Sequence, residues 1–189
     1  MHRHPELLTA ARSRLAVVDM QPRLLAGIAD ADAVTARVKA LRQAARLLDV
    51  PVVATEQNPE KLGESDPQLE LQDRRGKMAF SAADALDLGD RTAGLALNTG
   101  DRDQVVLCGV ETGICVLQTA MDLLAAGWSV TVVEDACGSR RKHDAAVAVR
   151  RMSAVGVQIA TTEMVLFEWV GEAGTDAFRE VSRLVKSLA

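Results

Sequence analysis

The sequence predicts an α/β protein, a three-layer α/β/α domain around a mainly parallel sheet of five to six strands. Two patterns carry this prediction: short unbroken runs of Val, Leu and Ala recur along the chain, and stretches with helical spacing of apolar residues separate them. Unbroken apolar strands that alternate with helices are typical of a parallel sheet covered on both faces. With 189 residues, the chain is shorter than the ~250 residues typical of a closed eight-fold barrel. We therefore expect one domain, 1–189, with 1–10 as a loose N-terminal arm.

The first half of the chain supplies two strands, two helices and a long loop. An apolar run predicts a strand at 15–19, and Val, Leu and Ala at helical spacing predict a helix over 32–48. The second strand covers 50–55. Residues 57–80 are polar and rich in turn formers, which indicates a functional loop between two sheet elements, and a weaker helical pattern covers 82–97.

The second half continues the alternation. Its predicted elements are a buried strand from Gln104, a helix over 112–126, a strand at 129–133, a helix over 144–155, a strand at 156–160 and two C-terminal helical segments. The apolar segment 164–169 is a candidate oligomer interface, and we expect Trp128 and Trp169 to serve packing or oligomerisation rather than ligand stacking.

Composition argues against several classes of partner. The net charge of −4 and the isoelectric point near 5.4 disfavour nucleic acid and anionic membranes. No apolar run approaches the ~20 residues that span a bilayer, and the N-terminus lacks the apolar segment of a signal peptide. The sequence therefore predicts a cytoplasmic enzyme that acts on a small molecule, with no nucleic-acid and no membrane partner.

The three cysteines follow neither a disulfide nor a zinc pattern. Cys108 falls inside a strand, so we expect it in the core, and Cys137 follows another strand. Cys115 is different, because it lies in the first turn of a helix that follows a buried strand and a Gly-containing turn. With Thr112 as N-cap, Cys115 would be the third helical residue, where backbone N–H groups and the helix dipole favour a thiolate.

Polar residues at three strand ends should meet near this cysteine, because ligands of open α/β sheets bind beyond the carboxyl ends of the strands. These residues are Asp19, the segment 55–57 and the turn 109–115. Histidine, the usual base for a cysteine nucleophile, occurs only at positions 2, 4 and 143, in the terminal arm and beside a basic turn. Asp19 and Lys77 are the remaining candidates, although spacing alone leaves open whether Asp19 caps a turn and Lys77 is solvated.

The chain resembles the isochorismatase-like cysteine hydrolases, the superfamily that includes nicotinamidases and carbamoylsarcosine amidases. The resemblance rests on four segments: 15–21 (LAVVDMQ), 76–81 (GKMAFS), 106–127 with its Gly-Val-Glu-Thr-Gly-Ile-Cys run, and 133–136. It extends from about residue 8 to the C-terminus. Residues 55–59, 62–63 and 161–163 are similar to the small isochorismatase-domain proteins of unassigned substrate.

The resemblance implies a site and a mechanism. It assigns Asp19 as general base, Lys77 as its cationic partner and Cys115 as nucleophile. It also implies a cis peptide between Val110 and Glu111, after which the backbone N–H groups of Ile114 and Cys115 would bind a substrate oxyanion. Relatives are homo-oligomers, so we expect a dimer or a larger assembly.

Departures from the family pattern narrow the expected chemistry. A cysteine at 115 favours acyl transfer on a small amide, or on an ester or thioester, over the vinyl-ether hydrolysis of true isochorismatases. The histidines of the nicotinamidase metal site have no counterpart at 55–59, so we predict neither metal nor cofactor. Glu56, Gln57, Phe80 and Gly113 are candidate pocket residues, and Gly113 would leave room for a bulkier substrate.

Two other hypotheses about function follow from the sequence. The chain could be a binding or scaffold protein that retains a hydrolase fold without activity, since fold does not establish function. A redox role for Cys115 with Cys108 or Cys137 is disfavoured because the sequence has no Cys-x-x-Cys pair.

Overall fold

A six-stranded parallel sheet forms the centre of the protein. The computed structural model describes residues 3–92 and 102–188. The strands are β1 (Ser13–Val18), β2 (Val52–Gln57), β3 (Arg74–Lys77), β4 (Gln104–Val110), β5 (Ser129–Gly138) and β6 (Gln158–Ala160). They lie in the order β3-β2-β1-β4-β5-β6, and every neighbouring pair is parallel. The predicted fold class is therefore confirmed.

Helices cover both faces of this sheet. They are α1 (Pro22–Leu25), α2 (Ala31–Leu47), α3 (Pro59–Leu62), α4 (Ala83–Leu86), α5 (Leu117–Ala125), α6 (Lys142–Ala154), α7 (Thr162–Val170) and α8 (Asp176–Lys186). Helix α2 contacts α7 and α8, whereas α5 contacts α4 and α6. Among the described residues, none of these helices combines the length and the apolar character needed to cross a membrane.

The prediction of an uninterrupted loop over 57–80 is wrong. The segment contains α3, a 3-10 turn at Pro67–Leu69 and the strand β3. Strand β3 has the sequence Arg-Arg-Gly-Lys and pairs with β2 alone, in the register Ala54↔Arg74 to Gln57↔Lys77. As an edge strand it needs no continuous apolar run, so hydrophobic periodicity does not detect it.

Of the helix predicted over 82–97, the described residues 82–92 form only the single turn α4, and residues 93–97 lie outside the described residues. Asp87 ends the turn in the left-handed region, with φ of 49°. Leu88 beyond it is nevertheless buried. The carbonyl of Gly89 accepts a hydrogen bond of 2.9 Å from Trp128 Nε1. Leu88 thus contributes to the core from a non-helical part of the chain.

The core consists mainly of Val, Leu and Ala from the strands, and both tryptophans are buried within the chain. Trp169 Nε1 donates to Ser13 Oγ at 2.9 Å. The N-terminal segment also makes contacts with this body. Leu8 is 2% exposed, and its N–H donates to Glu168 Oε2 at 2.7 Å.

Candidate active site

The carboxyl ends of four strands bring the predicted site residues together. In the sheet register Val18 pairs with Thr55 on one side and with Gly109 on the other, and Gln57 pairs with Lys77. Asp19 directly follows β1 and adopts a positive φ of 52°. Strand register therefore places Asp19, Lys77 and the turn after β4 at one edge of the sheet, as the strand-end argument predicts.

Asp19 and Lys77 form an enclosed ion pair. Asp19 Oδ2 lies 2.7 Å from Lys77 Nζ, and the side chains are 0% and 3% exposed. Taking two charges out of water costs free energy, which the pair recovers only with good geometry and further hydrogen bonds. Both partners have such bonds.

Thr55 supplies the further bond to Asp19, a role that sequence reasoning missed. Its hydroxyl donates to Asp19 Oδ1 at 2.8 Å, and the Asp19 N–H donates to the Thr55 carbonyl at 3.0 Å. Thr55 is fully buried. One carboxylate oxygen is thus fixed by a hydroxyl and the other by an ammonium group, so the orientation of the carboxylate is determined.

Gln57 holds Lys77 from the opposite side. Lys77 Nζ donates to Gln57 Oε1 at 2.6 Å, and to the carbonyl oxygens of Ala79 at 3.2 Å and Phe80 at 3.0 Å. The Gln57 N–H in turn donates to Oε1 of the buried Gln21 at 2.8 Å. Phe80 therefore contributes its backbone, while the residue as a whole is 56% exposed.

Cys115 completes the cluster. It is 6% exposed, and Asp19 and Lys77 lie close enough to its thiol for both to shift its pKa. Burial and the neighbouring Asp19 charge raise the pKa of Cys115 to about 12, against a smaller lowering effect of Lys77. The resting group is therefore a thiol beside a carboxylate that can accept its proton, and not the thiolate that a helix N-terminus suggested.

The turn that carries Cys115 is a π-helical turn, Thr112–Val116, which leads into α5. Thr112 is its first residue, and Glu111 is the flanking residue at the N-cap position without a side-chain cap. The prediction of Thr112 as N-cap is wrong, because the N-cap position lies one residue earlier, at Glu111. The π-helical hydrogen bonds of the turn span five residues instead of four. The Glu111 carbonyl accepts from the Ile114 N–H at 3.0 Å and from the Val116 N–H at 3.2 Å.

The peptide bond between Val110 and Glu111 is cis. Val110 is fully buried in β4. The Glu111 side chain points to the loop before α6, where its Oε2 accepts from Arg140 Nε at 3.1 Å. The Ile114 N–H, expected to face a substrate, donates instead to the Glu111 carbonyl in this state.

Two candidate pocket residues make contacts on other sides of the site. Glu56 points to the other face of β2 from Thr55 and Gln57, and its Oε1 accepts from the Ser65 N–H at 2.7 Å. Gly113 lies against α6, where an added Cβ would be 3.7 Å from the Asp144 carbonyl oxygen. A cavity of about 300 Å³ borders this side of the π turn, and its lining includes Glu111, Gly113, Ile114, His143 and Asp144.

The isochorismatase domain family matches residues 13–164 of this chain. The chain belongs to the isochorismatase family of hydrolases. Isochorismatase domain-containing protein 2A of Mus musculus is 38% identical over 178 residues, which cover 92% of this chain and 82% of the mouse protein. Isochorismatase domain-containing protein 2 of Homo sapiens is 36% identical over 181 residues, with 94% and 84% covered.

Solved structures agree with the family fold. A structure described as the MAR1 ribonuclease of Caenorhabditis elegans has a TM-score of 0.82 and 30% identity, and the match covers 95% of this chain and 92% of that one. The YcaC gene product of Escherichia coli, described as an octameric hydrolase of unknown specificity, has a TM-score of 0.79 and 23% identity, with 100% and 91% covered.

Two further thiols and one histidine of this isochorismatase-family chain are not part of the cluster. Burial raises the pKa of the fully enclosed Cys108 thiol well above its usual range and that of Cys137 to about 12. His143 is exposed at the start of α6. Within residues 3–92 and 102–188, no three His, Cys, Asp or Glu side chains come together as a metal-binding group.

Proposed function

We propose that this protein is a cofactor-free cysteine hydrolase that cleaves a small amide, with Cys115 as nucleophile, Asp19 as general base and Lys77 as the cation that positions Asp19. The observation that carries the proposal is the meeting of the three groups at one sheet edge: an enclosed Asp19–Lys77 pair at 2.7 Å, beside a Cys115 thiol whose pKa both groups shift. Cysteine acyl transfer needs a nucleophile, a base and an orienting group, and these residues fill the three roles.

The proposed reaction proceeds through a thioester. Asp19 accepts the thiol proton as Cys115 Sγ forms a bond to the substrate carbonyl carbon. The tetrahedral oxyanion then collapses, the C–N bond breaks, and the leaving amine takes the proton from Asp19. In the second half Asp19 removes a proton from water, which attacks the thioester and releases a carboxylic acid and the free thiol.

The raised thiol pKa fits a base-assisted attack. At neutral pH a thiol with a pKa of about 12 holds its proton, so the nucleophile forms only as Asp19 takes it up. Lys77 counterbalances the carboxylate before the transfer, and Thr55 and Gln57 fix both groups. For the oxyanion we propose the Cys115 N–H as donor. The Ile114 N–H joins it when it leaves the Glu111 carbonyl.

The choice of an amide rests on the nucleophile. Vinyl-ether cleavage of isochorismate needs no acyl intermediate, whereas a thiol paired with a base is suited to attack a carbonyl carbon. Esters and thioesters share that carbon and differ in the leaving group. A panel of small amides with matched esters therefore separates the substrate classes.

The decisive experiment is intact-mass analysis during turnover of this panel. We expect an adduct of one acyl group, located at Cys115 by peptide mapping, and its absence in Cys115→Ala. Full turnover by Cys115→Ala on a substrate that the wild type hydrolyses would exclude the mechanism. Cys108→Ala serves as the matched control, because it removes a thiol in the strand that leads to the site and should leave the adduct unchanged.

Two rival functions have their own outcomes in this experiment. A catalytically silent scaffold predicts neither adduct nor turnover on any member of the panel. The ribonuclease description of the Caenorhabditis elegans protein, which is 30% identical, suggests RNA as a second candidate substrate. A nuclease predicts cleavage of single-stranded RNA that survives Cys115→Ala, since phosphodiester cleavage needs no acyl-enzyme.

A further inference from the structure

A second cavity, lined by two arginines, lies at the edge of the sheet opposite Cys115. It has a volume of about 600 Å³, and its lining residues are Arg42, Arg46, Val52, Glu70, Leu71 and Gln72. Val52 is the first residue of β2, and residues 70–72 come just before β3. The cavity is therefore at the amino ends of the strands, whereas Asp19, Lys77 and Cys115 follow carboxyl ends. The two sites are separate.

Arg42 is an unusual residue for a helix packed on a core. It is only 6% exposed, and its Nε has no hydrogen-bond partner among the described residues. Its Nη2 pairs with Glu70 Oε2, but the Glu70 side chain is 62% exposed. A buried guanidinium with an unused donor costs free energy unless a partner supplies an acceptor.

Arg46 adds a second cation to the same cavity. It follows Arg42 by four residues on α2, so the two side chains occupy one helix face. Its place in the last helical turn suits a cation, but this does not account for the buried Arg42 beside it. Two guanidinium groups and one carboxylate line the cavity. The lining therefore carries one more positive than negative charge, which favours the binding of an anion with a single negative charge.

The rest of the lining narrows the class of anion. Leu71 is buried and Val52 is half-buried, so both offer apolar surface next to the arginines. Gln72 supplies an amide at the rim. A planar carboxylate matches the fork of a guanidinium group, and an attached apolar body would cover Val52 and Leu71.

We propose that this cavity is a second binding site, one that takes a small organic carboxylate with an apolar body. The Arg46 guanidinium and the terminal nitrogens of Arg42 bind the carboxylate, and the apolar body lies on Val52 and Leu71. Glu70 competes with the ligand for Arg42. The proposal does not depend on the reaction at Cys115.

Isothermal titration with benzoate tests the site, and neutral benzamide serves as the matched probe. Arg46→Gln, at an exposed position, should weaken benzoate binding by at least about tenfold, as loss of a charge-assisted hydrogen bond does. Glu70→Gln should strengthen it, because the competing carboxylate is gone. Arg150→Gln, an exposed substitution of the same charge on α6, should leave it unchanged, and benzamide should bind at least about tenfold more weakly than benzoate.

Four results would overturn the proposal: no benzoate binding to the wild type at about 10 mM, equal affinity for benzamide, equal effects of Arg46→Gln and Arg150→Gln, or equal affinity for inorganic phosphate, which has no apolar body. Benzoate that binds near Cys115 as a product analogue would respond to neither Arg46→Gln nor Glu70→Gln. That pattern would also reject the second site, and it would leave the proposed hydrolase intact.

Discussion

The Asp19 carboxylate and the Lys77 ammonium group face each other across the carboxyl ends of β1 and β3, with 2.7 Å between Oδ2 and Nζ and almost no solvent exposure. The two strands are not neighbours. Strand β2 lies between them, and its residues Thr55 and Gln57 fix one partner each. The hydrogen bonds that orient Asp19 and Lys77 therefore come from β2, the strand between them.

Asp19→Asn should raise the intrinsic reactivity of Cys115 while it abolishes turnover. Burial and the Asp19 charge raise the thiol pKa, and Lys77 lowers it. Removal of the carboxylate charge leaves Lys77 as the dominant charge, so the pKa falls and more thiolate forms. We expect alkylation of Cys115 by iodoacetamide at about pH 8 to accelerate by tenfold or more.

Mass mapping of the labelled peptide measures this rate, and Cys115→Ala gives the background from the other two cysteines. An Asp19→Asn protein that alkylates more slowly than the wild type, with an unchanged circular dichroism spectrum, would contradict the assigned electrostatics. Loss of turnover together with faster alkylation would show that the two residues have different roles. Cys115 would then be the nucleophile, and Asp19 would be the base that turnover requires even though its charge raises the thiol pKa.

Sequence reasoning found the parts of this site that depend on strand ends. Asp19 and Cys115 both follow long apolar strands, so periodicity placed them at one edge. Lys77 was different: its strand is polar and short, and only the resemblance to a family selected it. The segment 55–57 is predicted at this edge, but the role of Thr55 toward Asp19 is not, because its hydroxyl acquires that role only through the register Val18↔Thr55.

Pocket residues were harder to predict because side-chain direction within a strand alternates. Glu56 and Gln57 are adjacent, yet Gln57 binds Lys77 whereas Glu56 binds the Ser65 N–H on the opposite face. A one-residue error in the assumed strand position reverses such an assignment. The sequence interpretation gave 50–55 as this strand, and the structure extends it to Gln57.

Thr55→Val should impair the proposed reaction more than substrate binding. The substitution keeps the shape of the side chain but leaves Asp19 Oδ1 without its 2.8 Å hydrogen bond. An unsatisfied buried acceptor costs about 1–3 kcal/mol, so we expect a comparable loss of stability. We also expect kcat for the amide substrate to fall by about tenfold or more, with little change in KM. Thr55→Ser retains the hydroxyl and should restore kcat, and equal kcat values for the two variants would exclude the positioning role.

Gly109→Ala and Gly113→Ala should have opposite consequences. Gly109 has φ of 121°, and a Cβ there would lie 2.1 Å from the Val18 carbonyl oxygen in the adjacent strand. Gly113 has no neighbour closer than 3.7 Å to such a Cβ. We expect Gly109→Ala to destabilise the fold by at least about 3 kcal/mol, because the contact is with backbone. Gly113→Ala should stay within about 1 kcal/mol of the wild type. Urea unfolding measures both, and similar midpoints for the two variants would contradict the close approach of β4 to β1.

The buried Cys137 thiol should make the folded state less stable in alkali. Burial raises its pKa from an ordinary value of 9.0 to about 12, so between these values the unfolded chain loses the proton while the folded chain keeps it. The free energy of unfolding then falls as pH rises, by up to about 1.4 kcal/mol per pH unit for one thiol.

Lysines and the other thiols titrate in the same range, so the informative quantity is the difference between wild type and Cys137→Ala. Urea unfolding with reductant at about pH 8 and about pH 10.5 should give a shallower decline for Cys137→Ala. Equal declines would mean that Cys137 ionises equally easily in both states, against its burial at the end of β5.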